Sequence, residues 1–364
     1  MTNRYTGKAI YVKIRAKLSR RLHDSDYREL LARESVDGIA NFLRTRSHYA
    51  VRLNSFPEKQ IPKRELENAL RKAVFLDYLE CLRYDRQASS FYRFPLVKLE
   101  IEQIMTCLRY LASGQSERLI FDLPGYLIPH LHLDLLKLAR VRSFEELLTA
   151  LSHTPYREVL APYHPQNEEN WDEVACECAL DRYYANYLLH LSKTSLSASE
   201  ASVVKRFVLE QVELKNLNLI LRMKSFPKIK TERVRSYLNP LTGQLKAKEV
   251  QALLEAQGHE EFEQTLAQTK LGRSLSRFGN TNLLGSTYFE LQTTKLLYAN
   301  CQRLLSQTQD GSLAFLAFHY LDQIELRNLV TLIEGAAYGL PPDGMAQLLV
   351  YQQYKPGVTN HVHS

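Results

Sequence analysis

The sequence predicts an all-α fold of three similar helical modules, and three observations predict it. Apolar residues recur at helical spacing through most of the chain. No stretch alternates in the manner of a strand flanked by hairpin turns. One eleven-residue pattern appears three times at a near-constant separation. The 364 residues are 45% hydrophobic and 24% charged, the balance of a globular protein with a core to bury, and 14 Gly with 13 Pro leave little for long linkers.

The helical stripes run in order along the chain. Leu66, Leu70, Ala73, Leu76 and Leu79 step by three or four residues in the first third. Cys176, Leu180, Tyr183, Tyr184, Tyr187, Leu188 and Leu191 do so in the second, and Phe289, Leu296, Leu297, Cys301 and Leu304 in the last. Each stripe has a glutamate near its start: Glu67, Glu177 and Glu290.

The repeated pattern reads Lys98–Leu108 (KLEIEQIMTCL), Gln211–Leu221 (QVELKNLNLIL) and Gln323–Ile333 (QIELRNLVTLI), aligned without gaps. Its glutamates, Glu100, Glu213 and Glu325, fall 113 and 112 residues apart. An amide follows each by three positions (Gln103, Asn216, Asn328) and a helix breaker by fourteen (Gly114, Pro227, Gly339). A second block repeats as well. Leu151, Thr154, Tyr156 and Leu160 match Leu266, Thr269, Leu271 and Leu275 at the same internal spacing. Leu43, Ser47, Tyr49 and Leu53 fit with one residue inserted after Leu43. A period of this length exceeds the ~20–50 residues of solenoid units. We read helical modules at residues 1–127, 128–240 and 241–350 and a C-terminal tail at 351–364, with the three modules expected to form a pseudo-threefold body.

On a helical wheel the glutamates lie inside the apolar arc, with Ile101, Ile104, Cys107 and Leu108 and their counterparts, and the amides lie at its edge. A carboxylate there must be solvated, hydrogen-bonded or paired, because an isolated buried charge is costly. Two readings stay open. The Glu-plus-amide pair ties its helix to backbone or an Arg within the same module, or the three pairs line a shared inner surface that meets a partner. A catalytic triad is not expected, because equivalent acids of three modules sit a module's width apart, beyond joint reach of one substrate.

Other apparent chemistry has simpler readings. Cys176-x-Cys178 places its thiols on different helix faces and lacks a second ligand pair, His130-x-His132 has no partner by spacing, and His361 and His363 lie in the tail. No GxxxxGK[ST], strand-linked GxGxxG, GxSxG or HExxH occurs, so we expect no nucleotide site, no metal, no cofactor and no catalytic residue. Five cysteines scattered through helical stretches suit a reducing compartment. The basic segment Met1–Lys17 has no apolar signal core, and the apolar run Leu313–Phe318 is far short of the ~20 residues that span a bilayer. Any membrane role is therefore expected to be peripheral. The excess of 47 Lys and Arg over 40 Asp and Glu, +7, suits an acidic partner or an anionic surface. Lys224, Lys228, Lys230, Arg233 and Arg235 are the candidate partner-surface cations. Nucleic acid is not expected, since the 21 tyrosines fall largely on apolar stripes.

With these features in place, the chain resembles the C subunit of prokaryotic V/A-type ATP synthases, the counterpart of the eukaryotic V-ATPase d subunit. The resemblance rests on Lys13–Lys17 with Tyr27-x-x-Leu-Leu31, on Ile39–Tyr49, and on the helices Val212–Arg222 and Ile324–Leu329, in that order and spacing. It extends from about Tyr11 to Val350. Departures are Glu102-Gln103 where the later copies have Lys215-Asn216 and Arg327-Asn328, and Glu334-Gly335 in place of Arg222-Met223-Lys224. The resemblance implies a funnel- or socket-shaped, non-catalytic central-stalk connector, one copy per complex, at the cytoplasmic face of the membrane. It would seat the central shaft, made of the D and F subunits, on the membrane rotor ring and transmit torque between ATP turnover and proton or sodium transport. The alternative from another class is a soluble helical-repeat scaffold for an unrelated protein.

Overall fold

A computed structural model describes residues 4–54, 56, 60–85, 90–165, 171–226, 229–278 and 286–351. Lys228, Pro227, His361, His363 and all of the expected tail but Tyr351 lie outside the described residues. The regular secondary structure of the described residues is α-helix and short 3-10 turn, so the expected all-α class holds. In chain order the helices are α1 (Arg4–Leu18), α2 (Asp24–Leu31), α3 (Val36–Arg46), α4 (Ala50–Leu53), α5 (Lys63–Leu82) and α6 (Phe94–Ala112). Then come α7 (Leu119–Asp122), α8 (Leu135–Leu138), α9 (Phe144–Ala150), α10 (Tyr156–Leu160), α11 (Glu173–Ser195) and α12 (Ala198–Lys224). The remainder are α13 (Thr231–Tyr237), α14 (Ala247–Glu255), α15 (Gly258–Ala267), α16 (Lys270–Leu275), α17 (Ser286–Gln307), α18 (Gly311–Ala337) and α19 (Pro342–Leu348).

Local chemistry sets many of these boundaries. Ser35, Asp134, Ser143, Asp172, Ser197, Thr269 and Asp310 each cap a helix, the side-chain oxygen accepting from a first-turn backbone N–H. Gly114 and Gly339 end α6 and α18 in the left-handed region at φ 66° and 68°. There Gln115 N bonds Tyr110 O and Leu340 N bonds Gly335 O, a closure that favours glycine.

The chain divides into two compact units. Asp85–Thr293 forms most of one; Tyr5–Tyr84 joins the chain from Thr294 onward in the other, so the division falls within α17. In the first unit α11 packs on α6 and α12, and α12 also meets α15. In the second, α18 packs on α5 and α3. Its core is shared between distant parts of the sequence: Leu30, Ile39, Leu43, Leu66 and Leu70 meet Leu329, Leu332 and Ile333. Each such aliphatic side chain removed from water contributes about 1.5–3 kcal/mol. The same unit holds one very close backbone approach. A Cβ on Gly311, at the start of α18, would stand 2.1 Å from Gly7 O of α1.

The expected stripes are present with a small rotation. Leu66, Leu70 and Ala73 are buried, but Leu76 and Leu79 are half-buried while Phe75, Tyr78 and Cys81 go inside. The 3.6-residue turn does not hold one stripe over twenty residues, so the buried face drifts around the helix.

Candidate functional site

Among the described residues the repeated glutamates are the most buried charged groups, each 2–4% exposed. Their helices α6, α12 and α18 bury the expected apolar arc: Ile101, Ile104, Cys107, Leu108; Leu214, Leu217, Ile220, Leu221; Leu326, Leu329, Leu332, Ile333. What each carboxylate binds was not legible from the repeat. Glu100 Oε1 accepts from His132 N at 2.7 Å and Leu133 N at 3.3 Å, and Oε2 accepts from the Tyr156 hydroxyl at 2.6 Å. Glu213 Oε1 accepts from Gly243 N at 2.8 Å and Leu245 N at 2.7 Å. Glu325 Oε1 accepts from the Tyr49 hydroxyl at 3.0 Å, and Oε2 from Leu22 N and Arg21 Nε, both at 3.2 Å.

These bonds follow one rule. Each motif helix clasps the block that comes after it in the repeat, and the last returns to the block near the N-terminus. Glu100 bonds residues 132–156, Glu213 bonds residues 243–245 and Glu325 bonds residues 21–49. The expected tie to backbone or Arg is thus found, but it does not stay within a module bounded at 127, 240 or 350. The bonds of Glu100 and Glu213 pass positions 127 and 240, and those of Glu325 return to residues 21–49.

The second repeated block supplies a receiving end in two of the three cases, Tyr49 for Glu325 and Tyr156 for Glu100. Ser47 donates to Leu43 O, Thr154 to Leu151 O and Thr269 to Leu266 O. The first bond spans four residues and the others three, which is the inserted residue after Leu43 seen as geometry. Leu43, Tyr49 and Leu53, Leu151, Tyr156 and Leu160, and Leu266, Leu271 and Leu275 are all buried. Tyr49 and Tyr156 therefore stand at one position of the repeat, and Leu271 stands there in the third block.

The amides form a second set of clasps. Asn216 Nδ2 donates to Asn239 O at 2.9 Å and its Oδ1 accepts from Asn239 N at 3.0 Å. Asn328 does the same with Val350 at 2.8 and 2.9 Å. Each is a two-bond seal on the backbone of a residue 22 or 23 positions downstream. Gln103, one methylene longer, makes no such pair among the described residues.

Charge is concentrated around Glu325. Arg21 Nε also lies 3.8 Å from Asp322 Oδ1, so one guanidinium faces two carboxylates, and His48 Nε2 lies 3.5 Å from Glu325 Oε1. Burial, with Glu325 adding to it and Arg21 opposing, holds the Asp322 carboxyl well above the usual carboxylate range. Burial and the adjoining carboxylates likewise push the Tyr49 and Tyr156 phenols far up, so both remain donors at any physiological pH. Elsewhere in the second unit Glu80 takes Lys13 and Lys17 at 3.0 Å and Arg52 at 2.8 Å.

The candidate partner-surface cations are largely engaged within the fold. Lys224 Nζ donates to Leu254 O and Ala256 O at the end of α14, Arg233 pairs with Asp172 at 3.0 Å, and Arg235 donates to Gln251. Lys230 is exposed, and Lys228 lies outside the described residues. Cys176 and Cys178 are free thiols that burial pushes up to about 12, far from thiolate character. Among the described residues no cluster of three or more His, Cys, Asp and Glu is placed to hold a metal, and no helix is long and apolar enough to cross a membrane. His132 enters the geometry through its backbone, as a donor to Glu100.

Sequence reading missed the residues that complete these sites: Arg21, His48, Asn239, Gly243 and Asp322, and the role of Tyr49 and Tyr156 as partners of the glutamates. The repeat held a signal for the tyrosines, since they recur in the second block, but nothing in the spacing joined that block to the preceding glutamate.

Comparison with known proteins gives one family. The description "ATP synthase (C/AC39) subunit" matches residues 10–348. The chain is similar to proteins named as the C subunit of A-type ATP synthase. That of Methanosphaera stadtmanae is 27% identical over 58% of this chain and 53% of its own length. That of Methanocaldococcus jannaschii is 25% identical over 94% and 85%, and that of Methanothermobacter thermautotrophicus 25% identical over 72% and 66%. The chain thus spans about half the length of the first of these relatives and most of the second.

Proposed function

From the premise that this chain belongs to the ATP synthase (C/AC39) subunit family, we propose that it is the non-catalytic central-stalk connector of a rotary A-type ATP synthase. In this reading it seats the rotating shaft, made of the D and F subunits, on the membrane rotor ring, as a single peripheral copy at the cytoplasmic face. Torque then passes through it between ATP turnover and proton or sodium transport. The observation that carries the reading is the extent of the match: residues 10–348 include all three copies of the glutamate helix and most of both segments of the second compact unit.

The site chemistry supports a structural role for the repeated acids. Glu100 and Glu325 accept donors on both oxygens, and Glu213 holds two backbone amides in a 3%-exposed position. A carboxylate so enclosed cannot meet a substrate or exchange a proton with it at hydrogen-bond distance. Torque transmission asks for stiffness. The 27-residue helices α12 and α18, each tied by carboxylate and amide clasps to segments remote in sequence, supply members that resist bending. The repeat fits three modules at 1–127, 128–240 and 241–350 in a pseudo-threefold funnel or socket, with ring contact through Lys224, Lys228, Lys230, Arg233 and Arg235. Lys230, exposed, would lead that contact, since Lys224, Arg233 and Arg235 hold partners inside the fold.

Affinity purification of a tagged chain from solubilised membranes tests the proposal. Shaft and ring subunits are expected to co-purify in fixed ratio with one copy of this chain. Recovery of the chain without either would reject it. Lys230→Glu is expected to weaken ring association, and unaltered co-purification would reject that contact surface.

A further inference from the structure

The three clasps are unequal, and the inequality sits in one block. Glu100 and Glu325 each engage both carboxylate oxygens, one of them with a tyrosine hydroxyl. Glu213 engages only Oε1; its Oε2 is buried, and no donor among the described residues reaches it. The position of Tyr49 and Tyr156 is held in the third block by Leu271, which is fully buried and has no hydroxyl to give. The Thr269 hydroxyl on Leu266 O, the counterpart of Thr154 on Leu151 O, places Leu271 in the register of Tyr156. The open oxygen lies against Gly243, where a Cβ would stand 2.9 Å from it.

A buried carboxylate oxygen without a donor is worse off folded than in water, whereas one that accepts a tyrosine hydroxyl is compensated. Local opening that wets Glu213 therefore recovers hydration. The same opening at Glu100 forfeits a hydrogen bond to a charged group. We infer that the block α14–α16, with the Gly243–Leu245 segment that docks it on α12, is a built-in release point: it opens locally while the equivalent block α8–α10 stays closed. Stability differences of this kind between similar elements appear as sub-global opening. The inference concerns the isolated chain and is independent of the connector proposal, so either can fail alone.

Hydrogen exchange read by mass spectrometry on the purified full chain tests it, comparing peptides that cover residues 243–275 with those covering 132–160. The wild-type protein is expected to exchange about 10- to 100-fold faster in the first region, the factor set by one hydrogen bond to a charged group. Tyr156→Phe, which removes only the hydroxyl, is expected to raise exchange in 132–160 towards that level. Leu271→Tyr is expected to slow exchange in 243–275. Equal rates in the two regions of the wild type, or no response of 132–160 to Tyr156→Phe, would overturn the inference even if Leu271→Tyr fails to fold.

Discussion

At Glu100 the carboxylate is satisfied by two backbone amides and one phenol, so losing the phenol strands an acceptor in the interior. Tyr156→Phe is expected to cost about 1–3 kcal/mol, the usual penalty for an unsatisfied buried group, measured by urea denaturation. Gly243→Ala acts at the other end of the same chemistry. The added methyl would press on Glu213 Oε2 at 2.9 Å and Leu209 Cβ at 3.1 Å, and an overpacking loss of about 1–3 kcal/mol is expected in the same assay. A substitution that left stability unchanged would mean that the Glu213 contact is not formed. The glutamates and their burial were legible in the sequence because a charge inside an apolar arc demands a partner. The partners were not. Tyr156 lies 56 residues beyond Glu100, and Tyr49 lies 276 residues before Glu325; only tertiary packing brings such pairs together.

Among the elements, α12 and α18 show how one motif is used twice. Asn216→Ala and Asn328→Ala each delete a two-bond seal to Asn239 and Val350, and each is expected to lower stability by about 1–3 kcal/mol. Glu102-Gln103 marks the copy that departs from the others, and α6 indeed lacks this seal among the described residues. The Gly114 and Gly339 stops were legible because a glycine past an apolar stripe predicts a left-handed helix end, and both adopt it. The drift of the buried face of α5 was not, since stripes fitted to Leu76 and Leu79 cannot foresee which side α18 will press.

The junction of α1, α4 and α5 adds a pH dependence. Burial opposes ionisation of Glu80, but hydrogen bonds from Lys13 and Lys17 outweigh it and bring the carboxyl down to about 2 from an ordinary 4.5. A carboxyl whose folded value is lowered stabilises the protein above about pH 4.5 and loses that contribution as pH falls towards 2. Thermal melts across that window are expected to show a steeper acid loss in the wild type than in Glu80→Gln. Parallel curves would reject the role of Glu80. Asp322 has the opposite sign, because its folded value is raised: its favourable share is present below the ordinary value of 3.8 and is lost as pH rises.

For the whole molecule, the repeat was legible as three copies while the segments that each copy binds were not. The bonds run forward from each motif helix, so the last copy must take its receiving block from the start of the chain: Arg21, Leu22 and Tyr49 serve Glu325. Deleting residues 4–53 is therefore expected to expose α18 as well as to remove α1–α4, and limited proteolysis is expected to cut within residues 311–337 of the truncated chain. Resistance there equal to that of the full chain would show that α18 is held without its N-terminal partners. The chain belongs to the ATP synthase (C/AC39) subunit family, and the connector role is the proposal to be tested. The most direct measurement is an electron cryo-microscopy reconstruction of the ATP synthase purified through this chain. The connector role requires one copy of the chain between the shaft and the membrane ring. Density for it on a peripheral stalk, or its absence from the assembled complex, would contradict that role.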